Sequence, residues 1–180
     1  MNPTDDFRGR TLQWEYVSGF PLDVRVTENN QEVGRLGRKT NLKPSALGCL
    51  AGLELWFDWD EDSLLANHTI GFAGSQTQLG EGKIAWNGHY AVTLDGLRTY
   101  LLQKVSLSDS NWLSESGECA LSLSRSELSD IDVPHRGTIG ISNQTEELDI
   151  PPLVLLGVLM AMQQTLFKHD PNGPRTTRNW

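Results

Sequence analysis

Apolar and polar residues alternate with a period of two along most of the chain. Leu12, Trp14 and Tyr16 alternate with Gln13 and Glu15, and Leu22, Val24 and Val26 alternate with Asp23, Arg25 and Thr27. Such alternation places one face of an extended segment against a core and the other in water, which defines a half-buried strand. Glu28-Asn29-Asn30-Gln31 predicts a turn into a strand over Glu32 to Leu36, and Leu53, Leu55, Phe57 and Trp59 form a further alternating set. Lys83 to Trp86 and His89 to Leu94 flank Asn87-Gly88, and Asp95-Gly96 precedes Arg98 to Val105. Both dipeptides favour hairpin turns because Asn, Asp and Gly tolerate positive φ. Cys119, Leu121 and Leu123, then Thr138 to Ser142, complete the series. The interval Lys43 to Ala51, with Pro44, Gly48 and small residues, breaks it and reads as a loop or a short helical turn.

About nine to twelve strands at this spacing, with no helical pattern between them, predict an antiparallel sandwich or barrel and exclude a doubly wound parallel sheet. The pattern changes near the C-terminus. Glu146, Glu147 and Asp149 supply negative charge where a helix begins, and Pro151 and Pro152 fall in the first turn. Lys168 and His169 close the segment, with Pro171 and Gly173 beyond. A helix over 150–168 follows. From Ile150 to Phe167 it carries no charge, and from Leu153 to Met162 it is apolar on every side. A helix of that kind must be surrounded by protein or by lipid.

Length favours protein. The strictly apolar part, Ile150 to Met162, spans roughly 20 Å, against roughly 30 Å for a bilayer core. Gln163, Gln164 and Thr165 then interrupt it. The expected fold is therefore mainly β with one C-terminal helix: an antiparallel closed barrel of about twelve strands around a buried central helix. It forms one domain over 10–169, with a flexible start (1–9) and a flexible polar tail (170–180). Use of residues 150–167 as a tail or peripheral membrane anchor is the alternative.

The order of these features resembles the Tubby-like, phospholipid-scramblase and LURP-one-related superfamily, including small bacterial members. The resemblance lies in Leu-Gln-Trp-Glu-Tyr (12–16), the strand–turn–strand from Asp23 to Gly37, LDGLRTYLL (94–102) and IPPLVLLGVLMAM (150–162). It implies a roughly twelve-stranded barrel around a C-terminal helix, and phosphoinositide binding of the kind seen in Tubby proteins.

Composition narrows the partners. The chain has 180 residues, 15 Lys+Arg and 23 Asp+Glu, a net charge of −8. That balance argues against nucleic acid, which needs a basic field. The polar N-terminus has no apolar signal segment, so a cytoplasmic location is expected. Cys49 and Cys119 are then expected as reduced, buried thiols. Of the six tryptophans, most are expected in the core or wall with their N–H at the rim. Trp56 and Trp59 differ in parity, so one of them faces outward.

No nucleophile elbow, phosphate loop or zinc motif occurs. Gly80-Glu81-Gly82-Lys83 lacks the flanking residues of a phosphate loop, and the four histidines are scattered. Asp58, Asp60 and Asp62 have the first spacings of a calcium loop but lack its glycine and its closing carboxylate, which permits at most a weak calcium site. Arg35, Arg38, Lys39 and Lys43 gather four cations within nine residues, a patch suited to an anionic ligand such as a phospholipid headgroup. The expected function is a non-enzymatic binding or scaffold protein, without cofactor, whose partner is a protein or a phospholipid.

Overall fold

The computed structural model describes residues 6–17, 23–38, 45–59, 67–84, 89–106, 108–126 and 136–168. Twelve strands are present: β1 (Thr11–Tyr16), β2 (Asp23–Glu28), β3 (Gln31–Arg38), β4 (Ser45–Leu50), β5 (Leu53–Trp59), β6 (Asn67–Phe72), β7 (Gln78–Ile84), β8 (Tyr90–Leu94), β9 (Arg98–Lys104), β10 (Asp109–Leu113), β11 (Cys119–Arg125) and β12 (Arg136–Ile141). Each pairs antiparallel with its sequence neighbours, and β1 pairs with both β2 and β12, so the sheet closes into a barrel. Closure leaves no sheet edge unpaired. A 3₁₀ turn, Glu147–Asp149, leads into the helix α1 (Ile150–Lys168).

The predicted alternation is realised along β1 and β2, where Leu12, Trp14, Val24 and Val26 are buried and Gln13 and Glu15 are exposed. Two-residue loops at Asn29-Asn30 and Ala51-Gly52 have positive φ at both positions, the twist that suits a tight hairpin. Asp95-Gly96 also has positive φ, within a three-residue loop closed by the Leu94–Arg98 pair. Asn87-Gly88 lies outside the described residues.

The interval predicted as a loop or helical turn is instead the strand β4. Ser45 is buried at its start, and its alternate buried positions are Ala46, Gly48 and Leu50, two of which are too small to register as an apolar alternation. Leu155 of α1 supplies the reason, because a Cβ on Gly48 would stand 2.9 Å from its Cδ1. Small wall residues make room for a large helix residue.

α1 is buried from Ile150 to Met160 and again at Met162. It packs on β4, β5 and β11, and β4 and β11 stand five strands apart around the twelve-strand ring. Gly157 lies against Leu123 of β11 and Trp112 of β10. Residues 6–9, which the sequence places in a flexible start, pack against the barrel: Phe7 is buried and the Gly9 N–H donates to the Ile141 carbonyl at 3.0 Å. The tail 170–180 lies outside the described residues. No helix among the described residues is long and apolar enough to cross a membrane.

Both cysteines are free thiols, as expected, but neither is buried. Cys49 is half-buried, and Cys119, the first residue of β11, is exposed. Partial desolvation raises the Cys119 pKa, which lowers its thiolate fraction. The tryptophans also differ from expectation. The Trp14 and Trp112 indole N–H groups are buried rather than at the rim, without a partner among the described residues. Trp56 folds over Gly71 and donates to the Ser75 carbonyl at 3.3 Å, while Trp59 turns toward His68. Both are half-buried. Trp86 and Trp180 lie outside the described residues.

Candidate functional site

A groove of about 600 Å³ runs over β2, β1, β12 and β11. Register explains its composition. Arg25, Glu15 and Arg136 form one row of cross-strand neighbours, and Thr27, Gln13, Thr138 and Ser124 form the next. Residues of one row share a sheet face, because side-chain direction alternates along each strand. Asn30, Arg125 and Ser126 complete the polar lining. The groove thus holds three guanidinium groups, one carboxylate and a field of hydroxyls and amides, within a chain of net negative charge. Ser124 Oγ and Thr138 Oγ1 hydrogen-bond at 2.8 Å, and Ser126 Oγ donates to the Arg136 carbonyl at 3.1 Å.

Arg25 of this groove is held differently from the arginines of β3 and the N-terminal segment. Arg25 stands between Glu15 and Glu32 at 3.5 and 3.4 Å. Arg35 instead grips Asp23 with Nε at 2.8 Å and Nη2 at 2.5 Å, Arg10 binds Glu28 at 3.1 Å and Arg8 binds Asp6 at 2.6 Å. The Arg35 bonds hold the Asp23 carboxyl below its usual range and raise the guanidinium pKa. A bidentate arginine must give up a well-aligned, charge-neutralising pair before it turns to a ligand, whereas a loosely paired one exchanges partners at less cost.

The sequence-predicted site residues are scattered by comparison. Arg35 is exposed in mid-β3 with Asp23 as its partner, and Arg38 ends β3. Lys39 and Lys43 lie outside the described residues. Asp58 is exposed on β5, opposite Thr69 and Ser45. Asp60 and Asp62 lie outside the described residues. No group of three or more His, Cys, Asp or Glu suited to a metal occurs among the described residues.

Two buried polar clusters were not foreseen. In the first, Asp149, only 1% exposed, accepts from Arg98 Nε at 2.6 Å, Arg98 Nη2 at 2.9 Å and the Tyr100 hydroxyl at 2.6 Å. Arg98 also reaches Asp95 at 3.0 Å. Burial and the neighbouring carboxylate push the Tyr100 pKa up, and the Asp149 bond raises that of Arg98. The cluster fixes the residue before α1 to β9 and places a negative charge where the helix begins.

In the second, His68 of β6 is 1% exposed and its Nδ1 lies 2.8 Å from the Tyr90 hydroxyl. Trp59, His68, Tyr90 and Trp112 follow one another at ring-centre distances of 6.0, 5.6 and 6.1 Å. Gly82, between β6 and β8, leaves open the space that the Tyr90 hydroxyl fills. His68 Nε2 has no hydrogen-bond partner among the described residues. Burial lowers the His68 pKa from 6.5 to about 4 and raises that of Tyr90, so both are neutral at pH 7. The one sequence signal for this pair is that His68 and Tyr90 hold apolar positions of their strands.

The sequence matches no family model and no curated protein. The fold has a solved counterpart: an X-ray structure of a protein from Arabidopsis thaliana is similar to this chain with a TM-score of 0.58 and 13% identity, over 84% of this chain and 91% of the plant protein.

Proposed function

We propose that this protein is a non-enzymatic binding scaffold of the Tubby-like, scramblase and LURP-one-related type. In this reading α1 runs through the barrel as a plug, and anionic ligands, phospholipid headgroups among them, are taken on the outer wall. The observation that carries it is the packing of α1. The helix is buried on all sides and touches walls five strands apart, and a filled interior sends ligands outside. Among the described residues, the groove with Arg25, Arg125 and Arg136 offers a negative group three arginines. The plant structure, alike over most of both chains, supports the barrel architecture.

Flotation of the full chain with vesicles tests the reading. Binding is expected to vesicles of phosphatidylcholine with added phosphatidylserine, to fall with salt, and to be weak on phosphatidylcholine alone. Arg25→Gln and Arg136→Gln are each expected to weaken it about fivefold, following roughly 1 kcal/mol for a cation at an anionic surface. Binding that ignores both substitutions and the anionic lipid would instead fit a hydrophobic anchor and defeat the proposal.

A further inference from the structure

Charge alternates along one row of the groove. In register, Arg35, Arg25, Glu15 and Arg136 follow one another across β3, β2, β1 and β12. Asp23 takes up Arg35 with two bonds. The row that remains reads cation, anion, cation at Arg25, Glu15 and Arg136. Neighbouring strands lie about 4.8 Å apart, so the two arginines start roughly 10 Å from each other with one carboxylate between them. Directly opposed residues of one sheet face reach each other, and Arg25 already leans to Glu15 at 3.5 Å. The Arg25 and Glu15 side chains are 41% and 50% exposed, and Arg136 is exposed, so a ligand can meet all three from solvent.

A carboxylate between two arginines repels an anionic group seated midway and attracts a cation placed there. A ligand with a single anionic group must therefore displace Glu15 or settle to one side, on one arginine. A ligand that carries anion, cation and anion in that order satisfies all three side chains at once. A phosphoserine unit has this pattern, with phosphate and carboxylate flanking an ammonium on adjacent carbons. Arginine pairs with phosphate and with carboxylate equally well, and its length lets both guanidinium groups close on a unit centred over Glu15. Thr27, Gln13 and Thr138, in the next row, offer hydroxyls and an amide to the remaining oxygens.

We propose that the groove selects a phosphoserine-type group, with Arg25 and Arg136 on its two anionic ends and Glu15 on its ammonium. This rests on the reading of the groove as an anionic-ligand site and makes Glu15 its specificity-determining residue. Two sources carry the unit: the headgroup of phosphatidylserine in a membrane, and a soluble phosphoserine compound. Glu15 then acts differently from a merely repelling charge. It disfavours simple anions and favours those that bring an ammonium with them.

Flotation of the full chain at pH 7 tests this, with phosphatidylcholine vesicles that contain equal fractions of either phosphatidylserine or phosphatidylglycerol. The two added lipids carry the same net charge, and the ammonium belongs to the serine headgroup. Phosphatidylserine is expected to bind about fivefold more tightly, the effect of one exposed ion pair. Glu15→Gln is expected to abolish the preference, by weakening binding to phosphatidylserine and strengthening binding to phosphatidylglycerol. Glu15 is half exposed on the outer wall, so a thermal melt of the variant is expected to match that of the unsubstituted chain. Calorimetric titration with free O-phosphoserine at constant ionic strength separates the sources. Binding there that Glu15→Gln weakens assigns a soluble ligand, and the lipid preference without it assigns the membrane. Equal binding of the two lipids with no Glu15-dependent binding of phosphoserine overturns the selection and leaves the anionic-ligand reading standing. Glu15→Gln strengthening binding to both lipids alike overturns it in the same way. Binding to neither lipid and not to phosphoserine defeats the selection and the reading together.

Discussion

At Asp149 and Arg98 the two halves of one ion pair sit in different surroundings. Asp149 is almost wholly buried, whereas the Arg98 side chain is 35% exposed. Removing one partner strands the other, and the cost depends on which is stranded. Arg98→Ala leaves a buried carboxylate with the Tyr100 hydroxyl as its remaining side-chain donor, and is expected to cost about 3 kcal/mol. Asp149→Ala leaves a guanidinium that water and Asp95 can reach. Solvent screening reduces its cost to about 2 kcal/mol, part of it the hydrogen bond lost by Tyr100. Urea unfolding at pH 7 measures both, and the reverse order would contradict this account of the pair. The pair was not legible in the sequence. Arg98 and Asp149 stand 51 residues apart; Arg98 reads locally as an ordinary strand charge, and Asp149 as one of three acids at the start of the helix.

At the scale of elements, the hairpins show how far the sequence reaches. Asn29-Asn30 uses residues that accept positive φ, and the turn was legible for that reason. The β4–β5 loop has the same geometry but places Ala51 at φ 52°. The left-handed region costs an alanine roughly 1 kcal/mol, so Ala51→Asn and Ala51→Gly are each expected to raise stability by up to about 1 kcal/mol. Thermal melts of the variants check this, and a loss of stability would show that the alanine methyl makes packing contacts worth more than the strain. Strands became illegible where inward positions are not large and apolar. β4 turns Ala46 and Gly48 inward to admit Leu155, and β6 turns His68 inward to meet Tyr90. In β10 a single large residue, Trp112, is fully buried. Each exception reflects packing or a side-chain bond formed only once distant strands have met. The groove was hidden for the same reason. Gln13 and Thr138 become neighbours through the β1–β12 pairing that closes the barrel, a contact without local signature.

For the whole molecule, the apolar lining of the wall and the helix belong to one core. The wall turns inward a continuous apolar lining, among it Val24, Leu36, Leu55, Phe57, Leu121, Leu123 and Ile139. A helix with its side chains is roughly 10 Å across, and α1 adds Leu153, Val154, Leu155, Leu156, Val158, Leu159, Met160 and Met162 to the same core. Burying each of these contributes about 1.5–3 kcal/mol before the entropy cost of ordering it, a share large against the net 5–15 kcal/mol by which a domain of this size is stable. A chain ending at Asp149 is therefore expected to lose its cooperative melt and to bind a hydrophobic dye. A peptide of residues 150–168 added in trans is expected to restore part of the melt, because the lining it would meet is complementary. Leu156→Asp in the full chain places an unpaired charge at a fully buried position and is expected to unfold it likewise. A cooperative melt of the truncated chain would mean that the barrel wall is stable without its helix. In that case the same apolar segment becomes available to a membrane, and the anchor reading displaces the plug.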